Sequence, residues 1–192
     1  AGAVTPLQLG VGYSIIANGG FYVEPYFIDR IVDSEGRLER KYEPIKIGDK
    51  NLRVIDARHA FIINNILSEV IKTGTGKKAR SLGRPDLAGK TGTTNDAFDA
   101  WFAGYQPRLA AIAWLGFDSP KSLGKNQTGS AVALPIWIDF MKHALKNVPV
   151  TFPIEPRGIV RINDDLFTED TTPPSGILSI DVKTLDDKID PT

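Results

Sequence analysis

Apolar residues recur along this chain at two different spacings, and each change of spacing marks a change of element. Leu9, Tyr13 and Ile16 return on one helical face, and Thr5-Pro6-Leu7-Gln8 before them has the form of a capping box with proline in the first turn. That predicted helix stops at Asn18-Gly19-Gly20. Ala60, Ile63, Leu67, Val70 and Ile71 keep helical step over about residues 57–72, with Asp56 as N-cap and Gly74 and Gly76 as the stop. Lys77-Lys78 read as cations near the negative end of that helix. A third helix opens at Pro135 and is expected to turn Trp137, Phe140, Met141 and Ala144 inward. Strand-like runs lie between the helices. Phe27 to Val32 and Arg37 to Tyr42 predict a hairpin closed by Asp33-Ser34-Glu35-Gly36. A strand around Lys90 precedes two more, Ala100 to Tyr105 and Leu109 to Phe117, joined by Gln106-Pro107-Arg108. Trp101, Phe102, Tyr105, Trp114 and Phe117 are expected in the core of this sheet. Helices with an antiparallel meander indicate an α+β fold, an antiparallel sheet flanked by helices.

Composition changes this picture little, but charge divides the chain. The 192 residues carry 42% hydrophobic residues and no net charge, which suits one core and argues against a general polyanion binder. No run approaches the length of a membrane span, and zero cysteines leave no disulfide framework or thiol chemistry. The only methionine is Met141, so Ala1 is read as an internal start. Residues 149–192 hold nine acidic against four basic residues and six of the thirteen prolines. They are read as an acidic extension beyond a core of residues 1–148, with strands at 158–162 and 176–182 and a disordered end. Solvated surface and an acidic partner-docking tail both account for that composition.

The candidate chemistry sits in Lys90-Thr91-Gly92-Thr93. A Lys-Thr-Gly run is one of three short motifs that build the site of serine acyltransferases acting on substrates that end in a carboxylate. Lys90 supplies a fixed cation, and the Thr91 and Thr93 hydroxyls supply donors beside it. Gly92 lets substrate lie against the backbone, and the Thr93 N–H is placed to face the oxyanion of a tetrahedral intermediate. Replacing either threonine by valine is expected to remove a donor and, if the hydroxyls face the cleft, to leave stability almost unchanged. The same four letters recur at Lys72-Thr73-Gly74-Thr75, so one copy is a decoy. The first copy ends a helix and the second lies on a strand, where a carboxylate-binding edge belongs. An ordinary strand with a solvated lysine would carry the same letters.

Other chemistries fit less well. A phosphate-binding loop needs glycine six positions before its lysine, and position 84 is Arg84. His59 and His143 lie on predicted helices with no neighbouring Cys or His, so neither a metal site nor a Ser-His triad is expected. Asp96 and Asp99 read as turn residues rather than as a glycosidase pair. The aromatic cluster has no basic stripe to make it a nucleic-acid platform. No cofactor is called for.

Four stretches resemble the transpeptidase domain of class A penicillin-binding proteins, the bifunctional peptidoglycan synthases. They are Val4-Thr5-Pro6-Leu7-Gln8-Leu9 leading to Ala17-Asn18-Gly19-Gly20; Gly74-Thr75-Gly76; Ala88 to Asn95 with Asp99-Ala100-Trp101-Phe102; and Ala133-Leu134-Pro135-Ile136-Trp137. The resemblance covers about residues 1–148 and implies the penicillin-binding, serine β-lactamase-like transpeptidase fold. It implies a D,D-transpeptidase that cross-links stem peptides ending in D-Ala-D-Ala and is acylated by β-lactams. Lys90 and Thr93 would be catalytic, and Lys90, Thr91, Gly92 and Thr93 would bind substrate. It also implies an extracytoplasmic location, at the periplasmic face of the inner membrane, through an N-terminal anchor and a glycosyltransferase domain outside this chain. One departure matters. The family needs a nucleophilic serine on Ser-x-x-Lys and a Ser-x-Asn loop upstream of the Lys-Thr-Gly strand, and this chain has no Ser-x-Asn. Its only Ser-x-x-Lys, Ser122-Leu123-Gly124-Lys125, lies downstream in a predicted loop. Ser122 is rejected as nucleophile, and the chain, inactive alone, is expected to be the C-terminal part of the domain. A serine β-lactamase or D,D-carboxypeptidase fragment, and a non-catalytic interaction module of the same fold, remain the alternatives.

Overall fold

The computed structural model describes residues 3–45 and 50–173. Helix α1 spans Pro6–Ala17. The capping box holds it open: the Gln8 N–H donates to Thr5 Oγ1 at 3.2 Å, and the Thr5 N–H donates to Gln8 Oε1 at 2.9 Å. Asn18 ends it by bonding the Phe21 backbone through both its amide atoms. Gly20 then brings the chain against residues 53–55, with φ +104° and an added Cβ only 2.2 Å from the Ile55 carbonyl oxygen. No other residue type fits that turn.

A short hairpin follows, β1 (Arg30–Val32) and β2 (Leu38–Lys41), closed at Asp33 as expected but with shorter strands. The Asp33 carboxylate accepts from the Glu35 and Arg37 N–H groups, which fixes the turn. Helix α2 (Ala57–Lys72) starts at Asp56, whose carboxylate accepts from the Arg58 N–H at 2.8 Å. Lys77 and Lys78 do not simply trail off this helix; they open a 3-10 segment over Lys77–Leu82 that buries Ala79.

The central sheet is the antiparallel meander β3 (Ala88–Thr93), β4 (Ala100–Gln106) and β5 (Leu109–Leu115), in that spatial order. Its two faces bury against different helices. Tyr105 meets α1 and α2, edge-on to Tyr13 and donating to Asn64 Oδ1 at 3.0 Å. Phe102, on the opposite face, packs against Trp137 of α3 (Leu134–Ala144) with ring centroids 4.9 Å apart. Trp137 Nε1 also donates to the Ala111 carbonyl. The core gathers Ile71, Ala79, Leu87, Phe102, Leu134, Trp137 and Met141. This α+β layering is the expected one.

Two expectations need correction. Phe140 is 51% exposed, because the inner face of α3 runs through Leu134, Trp137, Met141 and Leu145. At about 100° per residue that stripe is centred between Trp137 and Leu145, and Phe140 falls outside it. Trp114 and Phe117 are also exposed, whereas Phe102 and Tyr105 are fully buried. The strand expected over 158–162 is present as β6 (Ile159–Ile162), and it pairs with β7 (Asp165–Thr168) through a two-residue turn with Asn163 at φ 54°. Asn tolerates that left-handed conformation better than most residues, and the alternation alone does not reveal the turn. The strand expected over residues 176–182 and the disordered end expected beyond it lie outside the described residues.

Candidate active site

Strand β3 is an edge of the meander: among the described residues it pairs only with β4, with Lys90 opposite Ala103, Thr91 opposite Phe102 and Gly92 opposite Trp101. Lys90 is exposed. Its ammonium donates to the Thr91 carbonyl at 2.8 Å and approaches Thr91 Oγ1 at 3.5 Å. Among the described residues it has no carboxylate partner, whereas Lys72 in the other copy is paired to Glu69 Oε1 at 2.7 Å. One copy therefore carries a neutralised cation on a helix end, and the other an unneutralised cation on a sheet edge.

The hydroxyls beside Lys90 are held by neighbouring segments. Thr93 Oγ1 accepts the Gly129 N–H at 3.1 Å, which occupies a lone pair and leaves the hydroxyl proton for another acceptor. Gly129 begins a five-residue π turn, Gly129–Ala133, pressed against the strand. A Cβ on Gly129 would come within 2.5 Å of the Gly92 carbonyl oxygen and 2.3 Å of that of Trp101. Thr91 Oγ1 lies 2.7 Å from Thr75 Oγ1, the last residue of the other Lys-Thr-Gly-Thr copy. Lys78 Nζ reaches the Ser130 carbonyl at 3.4 Å, and the Thr128 and Ser130 hydroxyls pair at 3.1 Å. The result is an edge lined with hydroxyls and two lysines, chemistry suited to an anionic oxygen ligand. A Cβ at Gly92 would sit 3.2 Å from Trp101 Cβ, a tight approach that glycine avoids.

The remaining candidates play structural parts. Asp99 closes the turn after β3: its N–H donates to Thr94 Oγ1 at 2.7 Å and its carboxylate accepts from Trp114 Nε1 at 2.8 Å. Asp96 offers its carbonyl to Ser122 Oγ at 2.7 Å, and Ser122 Oγ accepts from the Gly124 N–H. Ser122 thus stitches a loop, as expected of a serine outside any helix. His59 and His143 are exposed on α2 and α3. By spacing, Thr75 belongs with the helix-stop copy and Gly129 carries no signal. No periodicity points to either, because both reach the strand through tertiary contacts.

Comparison with known proteins matches this geometry to a family. The family described as the penicillin-binding protein transpeptidase domain matches residues 2–142. Penicillin-binding protein 1A of Neisseria lactamica is 43% identical over 169 residues, which is 88% of this chain and 21% of that protein. Penicillin-binding protein 1A of Pseudomonas aeruginosa is 37% identical, over 86% of this chain and 26% of its own length. The crystal structure of penicillin-binding protein 1A from Haemophilus influenzae superposes with a TM-score of 0.76 at 31% identity, over 83% of this chain and 29% of that one. The mixed α/β architecture with its antiparallel sheets is thus that of the penicillin-binding transpeptidase structures. This chain spans between a fifth and a third of the length of each of these relatives. A segment with this matched domain, this identity to penicillin-binding protein 1A and a Lys-Thr-Gly-Thr edge strand belongs to the penicillin-binding protein transpeptidase domain family.

Proposed function

We propose that this chain is the sheet-and-helix part of a peptidoglycan D,D-transpeptidase, and that Lys90, Thr91, Gly92 and Thr93 bind its substrate. The observation that carries the reading is the edge strand itself. Its cation is unpaired among the described residues, the Thr93 hydroxyl accepts the Gly129 N–H, and the Thr91 hydroxyl shares a hydrogen bond with that of Thr75. A serine on sequence outside these 192 residues attacks the carbonyl carbon of the penultimate D-Ala of a stem peptide. The peptide C–N bond breaks and the terminal D-Ala leaves with the proton as its amine, giving an ester on the serine. The amine of a second stem peptide attacks that ester, loses its proton and restores the serine hydroxyl, leaving a cross-link. Lys90 steadies the proton-shuttling serine loop and the substrate carboxylate. Thr91 and Thr93 donate to that carboxylate, and the Thr93 N–H faces the oxyanion, where one such donor is worth about 3 kcal/mol of barrier. β-Lactams enter by the same carboxylate and acylate the same serine.

The exposure of Lys90 and Thr93 supports a site that is completed elsewhere, since such chemistry needs water kept out. Helix α1 supports it too. It is apolar nearly all round, yet none of its residues is fully buried and Val4 and Leu7 beside its start are about half exposed, at 52% and 47%. We place the missing partners as the N-terminal part of the transpeptidase domain and a glycosyltransferase domain, on the periplasmic face of the inner membrane. Membrane attachment would come from an anchor outside this segment; among the described residues no helix is long and apolar enough to cross a membrane. Residues 1–148 form the domain part and residues 149–192 an extension; the family match ending at 142 supports that division. The 192 residues alone are inert toward penicillin. Within the same chemistry, a serine β-lactamase or D,D-carboxypeptidase would be recognised by fast hydrolysis of its acyl-enzyme. The identity to penicillin-binding protein 1A favours the synthase.

The test uses the full-length protein and a labelled penicillin. Lys90→Ala slows acylation about a hundredfold or more, and Lys72→Ala leaves it near the wild-type rate. Equal losses at both lysines would overturn the assignment of the strand copy.

A further inference from the structure

The duplicated tetrapeptide is more than a coincidence of letters, because its two copies touch. Gly74-Thr75-Gly76 follows the last turn of α2, and both glycines are pressed onto that turn. A Cβ on Gly74 would lie 2.9 Å from Val70 Cα, and one on Gly76 would lie 2.9 Å from Ile71 Cδ1 and 3.1 Å from the Val70 carbonyl oxygen. The Gly74 N–H donates to the Glu69 carbonyl at 3.2 Å and the Gly76 N–H to the Val70 carbonyl at 3.0 Å. The residue between them therefore has little freedom of position. That residue is Thr75, and its hydroxyl meets Thr91 Oγ1 at 2.7 Å.

A threonine hydroxyl has one proton and two lone pairs. Lys90 Nζ, which can only donate, lies 3.5 Å from Thr91 Oγ1, a long approach beside its 2.8 Å bond to the Thr91 carbonyl. If Thr75 donates, Thr91 accepts and its single proton is free to point to another partner. If Thr91 donates to Thr75 instead, no proton remains for a ligand. A carboxylate at the strand edge selects the first arrangement, since it can only accept.

We propose that Thr75 is a positioning residue of the carboxylate site: it donates to Thr91 and thereby turns the Thr91 proton toward the substrate carboxylate. The proposal rests on the reading of Lys90-Thr91-Gly92-Thr93 as the substrate-binding strand, and adds to it a residue from the end of α2. Thr75 acts through Thr91 and does not itself touch substrate.

The experiment measures acylation of the full-length protein by a carboxylate-bearing penicillin and by its carboxamide analogue, resolving the binding constant from the acylation step. Thr75→Val weakens binding of the carboxylate form about three- to tenfold, the factor for one hydrogen bond of ordinary net strength. The acylation step and the carboxamide reaction change far less. Thr75→Ser keeps the hydroxyl and restores wild-type binding, which a role in packing the threonine methyl would not. The double variant Thr75→Val/Thr91→Val is no worse than Thr91→Val alone, because the two hydroxyls form one unit. Equal losses on both substrates, full additivity in the double variant, or wild-type behaviour of Thr75→Val would each overturn the proposal. The underlying site reading fails separately: it falls, and this proposal with it, if Thr91→Val binds the carboxylate form as wild type does.

Discussion

Thr93 does two things that a valine cannot separate. Its hydroxyl is proposed to donate to the substrate carboxylate, and it accepts the N–H of the buried Gly129. Thr93→Val should therefore cost activity and stability together, which corrects the expectation of an unchanged melting temperature. Acylation efficiency falls roughly tenfold to a hundredfold for loss of a hydrogen bond to a charged group, and stability falls by about 1–3 kcal/mol for the stranded N–H. Thr93→Ser retains both. Thr91→Val differs, because its hydroxyl partner is the exposed Thr75 and no buried group is orphaned. Calorimetry alongside acylation kinetics separates the two: a melting temperature lowered for Thr91→Val but not for Thr93→Val would contradict this account.

At the scale of elements, the proposed site depends on a turn behind the strand. The π turn Gly129–Ala133 leads into α3 and lies against Gly92 and Trp101, closer than any side chain allows. Gly129→Ala forces that backbone apart and is expected to cost about 1–3 kcal/mol by overpacking, with loss of the Thr93 bond as a further effect. Gly12→Ala is the control. Nothing lies within 4 Å of a Cβ there, and the position is in the interior of α1, so alanine should stabilise by about 0.4–1 kcal/mol. Urea denaturation of both variants tests the pair; a Gly129→Ala protein as stable as wild type would mean that the turn yields without strain.

Across the whole molecule, one buried carboxylate ties the ends of several segments. Asp86, just before β3, takes a bidentate pair from Arg84 at 2.9 and 2.7 Å, the Gln106 side-chain amide at 3.2 Å, and the Thr151 N–H at 3.0 Å. Arg84 in turn donates to the Val148 and Pro149 carbonyls. The start of β3, the end of β4 and the chain leaving α3 are thus joined at one point. Burial pushes the Asp86 carboxyl up, but Arg84, Thr151 and Gln106 together hold it below its ordinary value. The unfolded chain then binds this proton at higher pH than the folded chain does. The stabilisation is fully present above the ordinary carboxylate range, near pH 4, and is lost as pH falls through the lower folded value. The urea midpoint should drop on acidification below about pH 4, and Asp86→Asn, less stable at neutral pH, should show a shallower acid limb. An acid limb unchanged by Asp86→Asn would place the titration elsewhere. Asp56 and Asp170, both lowered in pKa and both bonded to Arg58, are exposed and screened, so little of the limb is theirs.

Elements whose signals are local were legible in the amino-acid order. The capping box at Thr5, the Asp56 N-cap, the Gly74 stop and the meander through Gln106-Pro107-Arg108 depend on neighbours a few residues apart, and each is where the pattern placed it. The Lys90 strand and the family followed from short motifs for the same reason. Tertiary structure decided what depends on distant partners. It left Trp114 and Phe117 partly exposed, Trp114 against Trp101 and Phe117 beyond the end of β5, while Phe102 and Tyr105 are buried against helices. It turned α3 so that Leu134 and Leu145, not Phe140, meet the core. It also brought Thr75 and Gly129 to the two threonines of the strand, across 16 and 36 residues of chain. Hydrogen bonds of that span follow from how helix and sheet pack, and no periodicity along the chain encodes them.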